Sequence, residues 1–144
     1  MIIKEEENEK KILCFAIENK HLYHNKTLIH FNDIPLFFIC IDEKGNYYLV
    51  LCTDTDTLEY VIFIINKKYI LEMLIQKRTI RETLLKAEKF WNIKTEKDIN
   101  EDIIECKNIS DINCDILPAE NVMLDISNND MSDYIKKITN NFLR

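Results

Sequence analysis

Three apolar runs dominate the first half of the chain and predict the centre of a β-sheet. They are "PLFFICI" (35–41), "YYLVLC" (47–52) and "LEYVIFII" (58–65), and short polar segments separate them. A strand with one face in water alternates apolar and polar residues, whereas these runs are apolar at nearly every position. We therefore expect an antiparallel sheet that is covered on both faces, by its own helices or by another chain.

The only glycine of the chain, Gly45, lies in the polar loop that joins the first two runs. A loop of this length commonly needs one residue with positive φ, which glycine adopts without a Cβ clash. A phosphate-binding loop would instead contain several glycines and lead into a helix. The pattern predicts a β-hairpin in which Ile41 pairs with Tyr47. That register puts on one face Leu36, Phe38, Cys40, Tyr48, Val50 and Cys52, and on the other Phe37, Ile39, Ile41, Tyr47, Leu49 and Leu51.

Shorter apolar segments outside these runs predict further strands. The segments are residues 12–17, 27–31 and 122–126, and the polar residues 19–26 are predicted to be a connection. Capping residues followed by apolar stripes indicate four helices. These are 67–77 behind Asn66, 80–91 behind a Thr79–Glu82 capping box, 96–106 behind Thr95, and 133–143 behind Ser132.

Together these elements predict one α+β domain over residues 1–144. Its antiparallel sheet would have about four to six strands packed with three to four helices. Residues 1–11 are mostly charged, and we expect them to be flexible.

The composition indicates a cytoplasmic protein from an AT-rich genome. Ile occurs 24 times and Lys 16 times, against three Ala and three Arg, as AT-rich codons would give. This usage is typical of a low-GC bacterium or one of its mobile elements. The five cysteines are an odd number without a CxxC pair, which favours reduced thiols in the cytoplasm. No secretion signal is indicated, and no apolar run approaches the roughly 18 residues that a membrane span needs.

Several of the apolar segments resemble an uncharacterised family of small bacterial proteins, a domain of unknown function. The resemblance covers about residues 27–126 and includes "IPLFF", "DEKGNYYLVL", "YVIFIINKKYILEML", "TIRE" and "LPAENVML". It implies a β-rich α+β fold and supplies no active-site residues. The acidic segment 92–113 and the last helix depart from the family pattern.

Negative charge is concentrated in the C-terminal third. Residues 1–91 carry 14 acidic and 13 basic residues, whereas residues 92–144 carry 11 acidic and 6 basic residues. Acidic surfaces on small domains can occupy the basic channels of nucleic-acid-handling proteins. The predicted partner-binding face comprises Asp98, Glu101, Asp102, Glu105, Asp111 and Asp115. Direct nucleic-acid binding is disfavoured by the net charge of −6.

These observations favour a non-enzymatic protein-binding module. A specific form of this hypothesis is an anti-CRISPR-like inhibitor, encoded by a phage or mobile element, that binds a host nucleic-acid-targeting defence protein. The sequence indicates no catalytic residues, no metal ligands and no cofactor.

Alternative functions rest on other residue groups. His21, His24 and His30, or the carboxylates of the acidic helix 96–106, could serve a small metal-dependent hydrolase or nuclease. Zinc, however, favours four closely spaced ligands, and a dense run of acidic residues is more often a solvated face. A homodimeric, antitoxin-like structural module would bury an uncovered sheet face against a second copy. A basic patch between Lys67 and Lys89 could contact nucleic acid, but its aromatic residues are predicted to be buried.

Overall fold

The structure, a computed structural model, describes residues 12–94, 103–125 and 130–143 and consists mainly of β-strands. The seven strands are β1 (Leu13–Ile17), β2 (Lys20–Phe31), β3 (Ile34–Asp42), β4 (Tyr47–Asp54), β5 (Glu59–Ile64), β6 (Lys89–Lys94) and β7 (Ile103–Asn108). The α-helices within the described ranges are α1 (Lys67–Leu74), α2 (Ile80–Leu84) and α3 (Asp130–Leu143). Two 3₁₀ turns, Ile109–Asp111 and Cys114–Ile116, follow β7.

All seven strands form one antiparallel sheet in which each strand pairs with its neighbours in sequence. The fold is therefore largely β, and the α+β prediction is wrong. Two of the helices are short, and segments that were expected to be helical contribute strands instead.

Tight turns join the first three strands and explain why β2 is longer than the predicted strand 27–31. Glu18 and Asn19 join β1 to β2, and both have positive φ, at 47° and 67°. Asn32 and Asp33 join β2 to β3 in the same way, at 50° and 66°. Two-residue hairpin turns need positive φ at both positions, and Asn and Asp tolerate it better than most residues. The prediction that residues 19–26 form a connection is consequently wrong, because β2 begins at Lys20 and continues to Phe31.

The hairpin around Gly45 is confirmed, with φ of +87° at the glycine and Ile41 paired with Tyr47. The turn is organised by Asp42, which is buried. Its Oδ1 accepts hydrogen bonds from the backbone N–H groups of Lys44 and Asn46, both at 2.9 Å. Its Oδ2 accepts from the Tyr48 hydroxyl at 2.7 Å and from Asn46 Nδ2 at 3.1 Å. An added Cβ at Gly45 would meet nothing within 4 Å, so its backbone angle is what requires glycine.

Two of the four predicted helix caps are confirmed, whereas the predicted helix lengths are not. Asn66 caps α1, and Thr79 and Glu82 form the complete capping box of α2. Ser132 lies inside α3, which begins at Asp130, and Thr95 lies outside the described residues. Helix α2 ends at Leu84 instead of continuing to 91, and Trp91 lies on strand β6.

Two segments of the C-terminal third also differ from their predictions. Residues 103–106 of the predicted 96–106 helix are part of strand β7, and residues 95–102 lie outside the described residues. Residues 122–125 of the predicted late strand have no regular structure. Helix α3 is confirmed, with Ile138 buried and with Tyr134 and Ile135 packed against the core.

The sheet is covered on both faces, as the apolar runs predicted, but by different means. On one face Phe37, Ile39, Leu49 and Phe63 pack with residues of all three α-helices. On the other, Phe38, Tyr48, Ile62 and Trp91 form a cluster that contains no described helix residue. These side chains are buried because the sheet curls and its own strands face one another.

A contact between the two ends of the sheet fixes this curl. The Trp91 Nε1–H on β6 donates a hydrogen bond to Glu18 Oε2, in the β1–β2 turn, at 2.7 Å. Lys89 Nζ lies 3.9 Å from Glu18 Oε1 and 5.1 Å from the Trp91 ring centroid. The hydrogen bond from Trp91 lowers the pKa of Glu18, so the carboxylate stays ionised beside the lysine.

Among the described residues, no helix combines the length and the apolar character needed to cross a membrane.

Candidate functional site

The structure describes three of the six residues predicted to form the acidic face. Glu105 lies on strand β7, Asp111 in the first 3₁₀ turn and Asp115 in the second, and all three are exposed. The other three, Asp98, Glu101 and Asp102, lie outside the described residues. We call β7 and the two turns after it, residues 103–116, the acidic edge.

Strand β7 is the last strand of the sheet, and within the described ranges it pairs only with β6. The side chains of residues 104–108 are all exposed. The carboxylate of Glu105 lies 3.7 Å from Lys107 Nζ and accepts a long hydrogen bond of 3.4 Å from Asn92 Nδ2. None of the described residues pairs with the other backbone edge of β7, so that edge can accept a further strand.

The turns after β7 hold their carboxylates at the surface. The backbone N–H of Ile109 donates to the Glu88 carbonyl at 3.0 Å, which fixes the start of the first turn. In the second turn, Asn113 Oδ1 accepts from the Asp115 N–H at 3.0 Å, a local cap that leaves the Asp115 carboxylate facing outward. Solvated carboxylates in this setting attract cationic groups.

The three histidines do not converge. His21 Nδ1 lies 3.1 Å from Glu43 Oε2, and His24 Nε2 lies 2.7 Å from Thr27 Oγ1. His30 is six residues beyond His24 on the same strand, about 20 Å away at the rise of an extended chain. Burial lowers the pKa of His24, with a further contribution from Lys26. In the part of the chain that the structure covers, no three His, Cys, Asp or Glu side chains are grouped to hold a metal ion.

All five cysteines are free thiols. The thiols of Cys14 and Cys40 contact each other, and this contact together with burial raises the pKa of Cys40. Burial also raises the pKa of Cys52. A raised pKa favours the neutral thiol over the more nucleophilic thiolate at both cysteines.

A cleft that the sequence did not predict lies between the Gly45 hairpin and helix α1. It encloses about 700 Å³ and is lined by residues from three chain segments, among them Tyr47, Lys67, Tyr69, Lys86 and Lys89. We call it the lysine cleft. The sequence predicts that the aromatic residues of the basic patch 67–89 are buried. Phe90 and Trp91 are indeed buried, but Tyr69 is only half-buried and its ring is surrounded by cations.

No protein-family model matches the chain, and the searches of curated proteins and of solved structures found no match either. The resemblance to a family of small bacterial proteins therefore stays a prediction.

Proposed function

We propose that the protein is a non-enzymatic binding module that contacts a basic partner protein through the acidic edge. The observation that carries this proposal is the exposure of Glu105, Asp111 and Asp115 on and directly after an edge strand. Lys107 is the only basic residue between positions 103 and 116. These carboxylates make few contacts with the described residues, and the contacts that are described do not account for their grouping.

An edge strand offers two kinds of recognition to a partner. Its unpaired backbone groups can add a strand from another chain, which provides affinity with little sequence preference. The carboxylates then select a partner that is basic at the same place and speed its approach.

The kind of partner follows from the charge of the whole C-terminal third. A surface rich in carboxylates resembles a polyanion to a protein that has a basic nucleic-acid channel. With the Ile- and Lys-rich composition that AT-rich codons would give, this supports an inhibitor of a host nucleic-acid-targeting defence protein, anti-CRISPR-like in action and encoded by a phage or mobile element. Five free thiols support action in the reducing cytoplasm.

The test uses two double charge reversals. Asp111→Lys with Asp115→Lys changes the acidic edge, and Asp56→Lys with Asp133→Lys is the matched control. All four residues are exposed, and each pair raises the formal net charge from −6 to −2. The described contacts include no hydrogen bond or ion pair to any of the four carboxylates, so both variants should fold.

The first measurement is inhibition of DNA cleavage by a purified RNA-guided nuclease of a low-GC bacterium. The second is capture of host proteins by the wild type and by each variant, after which added DNA should displace the captured proteins. We expect the wild type and the control to be captured and to inhibit, and the edge variant to lose about tenfold or more in affinity. Equal binding by the two variants, or binding that DNA does not displace, would contradict the proposal.

A further inference from the structure

The lysine cleft concentrates positive charge on a chain that is acidic overall. Lys67, Lys86 and Lys89 line it, and Glu88 is the one acidic residue among the described lining residues. The Lys89 ammonium lies beside Glu18, so Lys67 and Lys86 provide the positive charge of the cleft. The lysines come from helix α1 and from the segment that leads into β6, so the fold, rather than a run of sequence, brings them together.

Further cations crowd one side of the cleft around the Tyr69 ring. Lys68 Nζ, Arg78 Cζ and Lys86 Nζ lie 5.7, 5.2 and 5.5 Å from its centroid. Arg78 is paired with Glu72 at 2.7 Å. Over the described ranges, no carboxylate oxygen lies within 4.0 Å of the Lys68 or Lys86 ammonium. One aromatic ring attracts each cation weakly and does not remove the repulsion among them.

The first turn of helix α1 adds to the excess of positive charge at the cleft. Its first turn contains Lys67 and Lys68 and no acidic residue, although the positive end of a helix dipole favours carboxylates there. Acidic residues at positions 67 and 68 would stabilise the helix better than these lysines do. Local rules of this kind are typically broken where a surface is used for binding.

The remaining lining of the cleft is aromatic and amide. Tyr47 and Tyr69 both line it, and Lys67 Nζ lies 5.7 Å from the Tyr47 ring centroid. Asn66 uses its Oδ1 to cap α1, which leaves its Nδ2 as a donor. A volume of about 700 Å³ is suited to a small organic ligand.

We propose that the lysine cleft binds a free nucleotide, with the phosphates held by Lys67 and Lys86 and the planar base placed against Tyr47 and Tyr69. Lysine is a common point-charge partner of phosphate, and bases stack on aromatic side chains. The cleft adjoins the acidic edge, since the Glu88 carbonyl accepts a hydrogen bond from Ile109, but the two share no lining residue. The inference therefore goes beyond the proposed function and does not depend on it.

Calorimetric titration of the full chain with four probes tests the site. The probes are ATP, inorganic triphosphate, adenosine, and a short single-stranded oligothymidylate. We expect one ATP per chain, weaker binding of triphosphate, and no measurable binding of adenosine at the same concentrations. Binding should weaken with salt, because exposed charges are screened.

Matched variants locate the binding. Lys67→Gln with Lys86→Gln removes two charges from the cleft, and Lys94→Gln with Lys137→Gln removes two exposed charges elsewhere, so both variants have a net charge of −8. We expect the cleft variant to weaken ATP binding about tenfold or more, and the control to change it by less than about twofold. Thermal unfolding of both variants checks that they are folded.

Three results would overturn the assignment. The first is no ATP binding at millimolar concentration, and the second is an equal loss in the two variants. The third is binding of the oligothymidylate but not of ATP, which would assign the cleft to a nucleic-acid strand instead. None of them bears on the acidic edge, because Glu105, Asp111 and Asp115 are unchanged in these variants.

Discussion

Asp42 is the residue on which the central hairpin depends. Its carboxylate is buried but accepts four hydrogen bonds, from the backbone of Lys44 and Asn46 and from the side chains of Asn46 and Tyr48. Burial alone would raise its pKa, but these hydrogen bonds outweigh burial and lower the pKa. A buried carboxylate with its acceptor sites filled holds the turn in a single conformation.

Tyr48→Phe tests this network through its pH dependence. Removing the hydroxyl should lower the free energy of unfolding at pH 7 by about 1.5–3 kcal/mol, since the acceptor is charged. Because the folded-state pKa of Asp42 is below its unfolded value, the carboxylate stabilises the fold above about pH 4, and that stability is lost as the pH falls through the folded-state pKa. The difference between wild type and variant, measured by urea denaturation, should shrink as the pH falls below about 4.

Tyr60→Phe is the control, because its hydroxyl has no hydrogen bond among the described residues. Tyr60→Phe should therefore lower the free energy of unfolding only slightly at any pH. A Tyr48→Phe effect that stays constant from neutral to acidic pH would contradict the role given to Asp42.

Residue-level chemistry could be predicted from the sequence where it is local. Gly45, Asn66 and the Thr79–Glu82 box each act within a few positions of their partners, and each was predicted correctly. The turn at Glu18–Asn19 was missed, because Glu is an uncommon residue at positive φ and the polar strand that follows looks like a loop.

At the scale of elements, short segments with two compatible periodicities caused the errors. Ile80, Leu84, Ala87 and Trp91 fit one helical stripe, yet Trp91 and Ile93 also fit one face of a strand. In the structure the helix ends at Leu84, and Trp91 and Ile93 lie on the same face of β6. Pairing with β5 and β7 makes this segment a strand and not a helix, and the sequence of one segment does not show which strands it pairs with.

The capping box of α2 predicts a measurable effect on stability. Thr79→Ala removes the Oγ1 acceptor of the Glu82 N–H, now at 3.1 Å, and should lower the free energy of unfolding by about 0.5–2 kcal/mol. Thr79→Ser keeps the acceptor and should cost less. Both values come from chemical denaturation at neutral pH. Equal losses in the two variants would show that the threonine methyl group, rather than the cap, stabilises α2.

At the scale of the whole molecule, the apolar runs predicted two covered faces but not how each is covered. Helices were expected on the sheet or a second copy against it, whereas one face is covered by the curl of the sheet itself. Curling depends on contacts between distant residues, such as Glu18 and Trp91, which no local pattern indicates. The argument for a homodimer through a bare face of the central strands is thereby removed.

The same limit applies to the candidate sites. The acidic residues of 92–144 were evident from composition, but their position on an edge strand required the pairing of β6 with β7. The lysine cleft was not predicted, because Tyr47 and Lys86 are brought together only by the tertiary fold. The two sites give the molecule neighbouring surfaces of opposite charge, which meet where Lys89 of β6 pairs with Asn108 of β7.

The central claim is that β7 is an open strand edge that carries exposed carboxylates. Residue-by-residue hydrogen exchange of the free protein, measured by NMR, tests it most directly. We predict slow exchange at the alternate amides of Ile103–Asn108 that face β6, and exchange close to that of an unstructured chain at the amides between them. Slow exchange at every amide of β7 would show that its outer edge is already paired. NMR contacts typical of a helix over Ile103–Asn108 would show that these residues do not form a strand. Either result would contradict the account.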